Sequence, residues 1–259
     1  MLSPRSLLTE ILDDIGSFQL FCSIAASGES QGGWENGRIA ALVPESQREL
    51  APKIARHGAD EDKHGRIFMQ LMRKRGVEPV PVPAETDYTM LLERHGIGLA
   101  HSRLRQDTAL TEADIVTYLA HSRVTEQRAS EQMALLVKYF ADHPGIGKAV
   151  RAIARDEDNH LAYCHEELLR LCALGHGPTI KRILRECALA EIRIYRDVSL
   201  AVMANMGRVL GWSAPKAAAL KVGIHAVYLY ERAFGWRRMV TLSMPTRRNA
   251  LGDPAVATA

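Results

Sequence analysis

The sequence predicts an all-α protein: a four-helix bundle with one long crossover, followed by about two additional C-terminal helices. Three observations predict it. Apolar residues recur at helical spacing over long segments, as at Leu20, Phe21 and Ile24. Ala, Leu, Arg and Glu are abundant while aromatic residues make up only 6% of the chain, a balance that favours helices over strands. Turn signals then divide the first 177 residues into two helical hairpins with short turns, joined by one long connection.

The first helix is expected from about Ser6 to Leu42, with a turn at Val43-Pro44. Ser46-Gln47-Arg48-Glu49 reads as a capping box that opens a second helix running to about Arg75. Pro79, Pro81 and Pro83 end it in an extended segment. The connection that follows can hold a helix of its own around Tyr88 to Gln106. Thr111-Glu112-Ala113-Asp114 begins a third long helix, which reaches Asp142 before the turn His143-Pro144-Gly145. A fourth spans about Ile146 to Leu174 and stops at Gly175-His176-Gly177. Two more are expected over Thr179 to Leu210 and Ala214 to Val240.

Three regions follow: a bundle over 1–177, a basic helical extension over 178–243 packed on it, and a disordered tail over 244–259 of low apolar content. The charge is uneven. Residues 1–177 hold 20 Lys and Arg against 25 Asp and Glu, whereas residues 178–248 hold 13 against 4. Cys22, Cys164, Cys172 and Cys187 form no C-x-x-C pair, which argues against a zinc ribbon or rubredoxin-like site and for reduced thiols. Glu10, Asp13 and Asp14 interrupt any apolar export signal, and no stretch is long and apolar enough for a membrane span, so a cytoplasmic location is expected.

The chemistry lies in a near-repeat. Asp60-Glu61-Asp62-Lys63-His64 returns 96 residues later as Asp156-Glu157-Asp158-Asn159-His160. Each block contains Glu-x-x-His, which on a helix presents a carboxylate and an imidazole from one face. Two such blocks can hold two metal ions if two more carboxylates face them. In an antiparallel hairpin, level residues lie about equally far from the turn. That rule points to Glu29, the only acid between Asp14 and Glu35, opposite the first block. Opposite the second block it points to Glu126, with Glu131 as a rival. Glu35 would sit too near its turn.

This set of four Glu and two His, with Glu-x-x-His on the second and fourth helices, resembles the ferritin-like di-iron carboxylate superfamily, to which ferritins and the ribonucleotide reductase-like oxygenases and oxidases belong. The resemblance covers about residues 6–177 and implies a ferritin-like bundle. It also implies that Glu61 and Glu157 bridge or share two metals, that Glu29 and Glu126 are outer carboxylates, and that His64 and His160 each bind one metal. Asp60 and Asp156, just before each Glu, would accept the outer N–H of a ligand histidine and fix its tautomer.

Carboxylate and imidazole ligands suit two iron ions, with manganese or a mixed pair as alternatives. Such a centre can use O2 to oxidise a small organic substrate, free or carrier-bound, with electrons from an external reductase or ferredoxin. The alternatives are a ferroxidase, a peroxidase or a manganese catalase, and a non-enzymatic helical binding protein with a vestigial ligand set. Phe68 stands where ribonucleotide reductase radical subunits carry a tyrosine, four residues after the first-half His, which excludes that radical site. Tyr163, three residues after His160, is read as a core or supporting residue.

Ala25, Ala26, Gly32 and Gly33 flank Glu29, and Ala129 and Ser130 flank Glu126. These small side chains either open a substrate pocket or allow close helix packing. The segment Glu126-Gln127-Arg128-Ala129-Ser130-Glu131 also looks somewhat like the third helix of ferritin-like tRNA hydroxylases. In the basic region, Lys181, Arg182, Arg185 and the aromatic final helix suggest a docking face for an acidic partner, an anionic membrane surface, or a solvated face. His225 is expected to be a core histidine, and a homodimer is expected.

Overall fold

The computed structural model describes residues 3–242. The tail expected over 244–259 lies outside them. Ten α-helical segments account for most of the described chain, and no strand occurs among the described residues.

The first expected helix is broken in two. Asp14 leaves helical geometry (φ −79°, ψ 133°) and its side chain accepts from the Ser17 amide, so it closes α1 (Pro4–Asp13) and caps α2 (Ile15–Leu42). The expected capping box at Ser46 does not form. Residues Glu45–Leu50 make a 3-10 turn, Gln47 is non-helical, and α3 (Ala51–Lys74) starts with Pro52 in its first turn instead. The Ser46 hydroxyl bonds to Glu112 at 3.2 Å, so a residue that looks like a cap serves a long-range contact.

Helices α2 and α3 run antiparallel, since contacts pair Ser23 with Met72, Ser30 with Gly65 and Gly33 with Gly58. Their backbones press together. A Cβ on Gly33 would lie 3.2 Å from the Gly58 carbonyl, and one on Gly65 would lie 2.9 Å from the Ser30 hydroxyl. Glycine costs about 1 kcal/mol within a helix, which this close approach offsets.

The connection contains only short helices, α4 (Tyr88–Arg94) and α5 (His101–Leu104), separated where Gly96 and Gly98 take positive φ of 70° and 87°. Arg38 fastens it to α2 through the Leu104 carbonyl (2.9 Å) and Asp107 (3.0 Å). The helix start expected at Thr111 forms, closed by a capping box between Thr111 and Asp114, and opens α6 (Glu112–Phe140). After a turn, α7 (Gly147–Leu171) returns antiparallel to α6, with Arg123 meeting His165 and Ser130 meeting Asp158. The two helix pairs meet along α3 and α7.

Gly175, at φ 100°, turns the chain into α8 (Gly177–Val209). Helix α8 packs on α6 and shares its core: Ile180, Leu184, Ala188 and Ile192 join Ile115 and Leu119. Helix α9 (Ala214–Tyr230) lies against α8 and contains no buried residue. His225 is therefore not a core histidine. After a bend at Glu231–Gly235, α10 (Trp236–Val240) ends the described chain. Part of the basic surplus is internal, since Arg238 pairs with Glu131 and Glu231 at 2.6 and 2.7 Å. The four cysteines are free, and among the described residues no helix is long and apolar enough to cross a membrane.

Candidate metal centre

The six sequence-predicted Glu and His residues converge between α2, α3, α6 and α7, in two groups that share Glu61. One group is Glu29, Glu61, His64 and Glu157; the other is His57, Glu61, Glu126 and His160, each with its candidate ligand atoms within 4.8 Å of one another. Glu29 comes from α2, Glu126 from α6, and the rest from α3 and α7. Glu157 also reaches both groups, with its two oxygens 3.4 Å from His64 Nδ1 and 3.8 Å from His160 Nδ1. Glu131 takes no part, being held by Arg238, and Glu35 accepts from His101 at 2.7 Å on the wall beyond.

Asp60 and Asp156 act crosswise. Asp156 bonds to His64 Nε2 at 3.1 Å, and Asp60 faces His160 Nε2 at 3.5 Å as a charge without a hydrogen bond, so the aspartate of each block faces the histidine of the other. Lys63 sits between the two aspartates at 2.5 and 2.6 Å. Against the opposing effect of burial, its hydrogen bonds hold both carboxyls below their ordinary range. With its Nε2 turned to a carboxylate, His64 presents Nδ1 to the centre.

His57 is not among the sequence-predicted ligands. Its signal is nonetheless present: His57, Glu61 and His64 stand at i, i+4 and i+7, one stripe of a helix. Its Nε2 lies 3.2 Å from Glu61 and 3.3 Å from Glu126. On the other side, Nδ1 is 2.8 Å from the Tyr163 hydroxyl, which is 2.7 Å from the Tyr118 hydroxyl, which is 2.8 Å from Asn36 Oδ1. An amide oxygen only accepts, so Tyr118 donates to Asn36, Tyr163 donates to Tyr118, and His57 Nδ1–H donates to Tyr163. Burial pushes both tyrosines well above their ordinary range, so they remain hydroxyls. The chain of bonds fixes one tautomer of neutral His57 and leaves Nε2 as a ligand atom.

The electrostatics fit a site built for positive charge. Burial, and then the charge of Glu157, raises Glu29 to about 8. Burial and the Glu29 charge raise Glu61 to about 7, and burial raises Glu157 to about 8. Burial works against charging the histidines, but Glu126 and its neighbours overcome it and raise His57 to about 9 and His160 to about 11. Those two protonated rings in turn hold Glu126 well below the usual range despite its burial. Without metal, protons on imidazole supply the missing positive charge.

The donor geometry also fits. His64 Nδ1 and both nitrogens of His160 are buried without a hydrogen-bond partner. Yet His64 Nδ1 lies 3.3 Å from Glu29, and His160 Nδ1 lies 3.4 Å from Glu61. Two donors at about 2.1 Å from one ion sit about 3 Å apart, so these spacings suit shared coordination. The residues can hold metal ions. The donor set is four carboxylates and three imidazoles with no thiolate, which suits a divalent first-row metal.

A cavity of about 380 Å³ adjoins the centre between α2 and α6, roofed by α4 and α8. Glu29, Glu61, Glu126, Glu157 and His57 form its floor. The small residues divide between the two expectations. Ala25, Gly32 and Ala129 line the cavity, whereas Gly33 serves the contact with α3. Phe68 lies in a separate apolar cluster with Phe21. Compared with known proteins, the chain matches no family model, no curated protein and no solved structure.

Proposed function

We propose that this chain is an O2-dependent di-iron oxidoreductase, an oxygenase or oxidase of ferritin-like type, acting on a small organic substrate. The observation that carries the reading is the pair of ligand groups sharing Glu61 on the floor of a cavity. A site that only stored or oxidised iron would have no use for a chamber of this size beside its ligands. Two iron ions would supply electrons to O2 and make an oxidant strong enough for an inert C–H bond.

The protein's own residues have separable tasks in this reading. Glu29, Glu61, Glu126, Glu157, His57, His64 and His160 hold the ions, with Glu61 and Glu157 between them. Asp156 and the Tyr163–Tyr118–Asn36 chain orient His64 and His57 and hold their outer protons, while the Asp60 carboxylate faces the outer edge of His160. The walls formed by α2, α4, α6 and α8 would surround the reacting end of the substrate. Reducing O2 fully while removing two electrons from substrate requires two more from outside, so a reductase or ferredoxin-type donor is part of the proposal. The ferritin-like topology is too: two antiparallel pairs joined by the long 75–111 crossover.

Anaerobic loading with Fe(II) tests it. Two iron ions per chain should bind, and O2 should then produce a ferric absorption band. Less than one iron per chain after full loading, or no optical change with O2, overturns the reading. Rapid peroxide disproportionation by the manganese-loaded protein would instead favour a catalase.

A further inference from the structure

Away from the carboxylate floor, the cavity between α2 and α6 offers no unpaired charge among its described lining residues. Its one Arg or Lys is Arg128, and that side chain is committed. Arg128 Nε and Nη2 donate to Glu191 at 2.8 and 2.9 Å, and Nη1 and Nη2 donate to Glu231 at 3.1 and 2.6 Å. Its guanidinium also lies 4.1 Å over the Tyr195 ring. Glu35 is engaged by His101 at 2.7 Å. The floor adds no net attraction for an anion, because two divalent ions carry as much charge as the four carboxylates.

Most wall hydroxyls are spent as well. Tyr88 donates to Glu191 at 3.0 Å, Tyr118 to Asn36, Thr86 to the Pro83 carbonyl at 2.7 Å, and Thr125 to the Ser122 carbonyl at 3.1 Å. Between them the surface is apolar: Ile24, Ile39, Leu92, Leu104 and Val198. His121 differs. It lines the cavity, and its Nε2 is buried with no hydrogen-bond partner. Burial pushes its imidazole down to about 4, so the ring is neutral at physiological pH. Gly98 closes the opposite edge, since a Cβ there would stand 2.7 Å from His121 Nδ1. A buried polar atom left without a partner is costly, and a ligand group that satisfies it gains selectivity.

We infer that the cavity takes an uncharged, mainly apolar organic molecule bearing one hydroxyl or carbonyl group that bonds to His121. This rests on reading the cavity as the substrate pocket. It makes His121 a specificity-determining residue outside the metal centre. It also separates the substrate from the basic surface: the arginines of the C-terminal helices do not select what enters the chamber.

The test is calorimetric titration of the protein, loaded anaerobically with Fe(II), with 1-heptanol, heptanoate and 1-heptylamine. Heptanol should bind saturably and at least about tenfold more tightly than either charged analogue, because the apolar wall strips a charge of water without repaying it. His121→Leu should weaken heptanol about tenfold while leaving metal content unchanged, and His121→Gln, which retains a hydrogen-bonding end, should restore part of the loss. Equal or tighter binding of heptanoate or heptylamine overturns the inference. So does a lack of saturable heptanol binding, or unchanged heptanol binding by His121→Leu. Metal content of the same samples keeps the two readings apart. Two ions bound without heptanol binding removes only this inference, whereas a metal-free protein removes the proposed function and the titration still reads the cavity.

Discussion

The two halves of the candidate metal centre repeat each other in sequence and differ in construction. Glu29, Glu61 and His64 correspond to Glu126, Glu157 and His160, and each aspartate faces the histidine of the other block. But His57, which faces the second group of ligands, corresponds to Ile153, which is buried in an apolar cluster. Lys63, the cation between the aspartates, corresponds to Asn159. Gly33, Gly58 and Gly65, which let α2 and α3 touch backbone to backbone, correspond to Ser130, Ala154 and Leu161. The repeat supplies a symmetric carboxylate frame, and the first half alone adds the third imidazole and the tight packing that holds it. The two ligand groups are therefore chemically unequal: three carboxylates and one imidazole in one, two of each in the other.

Removing the shared ligand should have the largest effect. Glu61→Ala takes a donor from both groups, so metal content by elemental analysis should fall from two ions per chain to near zero. His57→Ile makes the first half copy the second and should remove the ion of one group only, leaving about one per chain. Loss of both ions in His57→Ile, or of neither, would contradict the inequality of the two groups.

A smaller effect is expected further out. Tyr163→Phe breaks the bond that fixes the His57 tautomer, and should weaken one of the two metal sites by roughly 10- to 100-fold while sparing the other. Competition with a coloured chelator would resolve the two affinities.

The pH dependence of the metal-free protein follows from the shifted groups. His57 and His160 have folded pKa values raised to about 9 and 11, so their contribution is fully present below the ordinary histidine value of 6.5 and is lost as pH rises through those values. Glu29, Glu61 and Glu157 are raised to about 8, 7 and 8, so the folded state resists their ionisation and loses stability between their ordinary value of 4.5 and those values. Glu126, whose pKa is lowered, works the other way and loses its contribution only in acid. The Tm without metal should thus fall from about pH 5 to pH 9, a window set by these shifts. Stabilisation by added metal should grow over the same range as binding displaces the protons. A metal-free Tm that rises between those pH values would contradict the site electrostatics.

The packing difference predicts the smallest changes. Gly33→Ala drives a methyl into the Asp62 carboxylate and against the Gly58 carbonyl, and should destabilise by about 1–3 kcal/mol in denaturant unfolding. Gly37, four residues on, is exposed, and a Cβ there would meet nothing within 4 Å, so Gly37→Ala should stabilise by up to about 1 kcal/mol.

Much of this arrangement is legible in the chain because helical hairpins obey simple counting. Equal distance from a turn picks out Glu29 and Glu126, and the tertiary arrangement brings both to the centre beside the Glu-x-x-His residues. Local rules fail where long-range contacts compete with them. Ser46 has the look of a helix cap but bonds to Glu112 on another helix. Asp14 sits within an apolar-periodic run yet breaks it, because its carboxylate captures the Ser17 amide. His57 escapes such counting because it belongs to no Glu-x-x-His block; it shares a helix stripe with Glu61 and His64, but only the packed molecule sets Tyr163 of α7 against it and fixes its tautomer.

Residue spacing alone dictates the helical class, the repeated acid and imidazole blocks, and which upstream glutamates lie level with them, since each depends on one helix or one hairpin. It takes the packed molecule to establish that the aspartates serve opposite blocks, that Glu61 belongs to both ligand groups, that His57 completes one of them, and that a cavity lined by an unpartnered His121 nitrogen lies alongside. These are relations between helices far apart in the chain. They are set by how the two pairs pack and by what burial does to charge, and neither leaves a periodic trace in the order of residues.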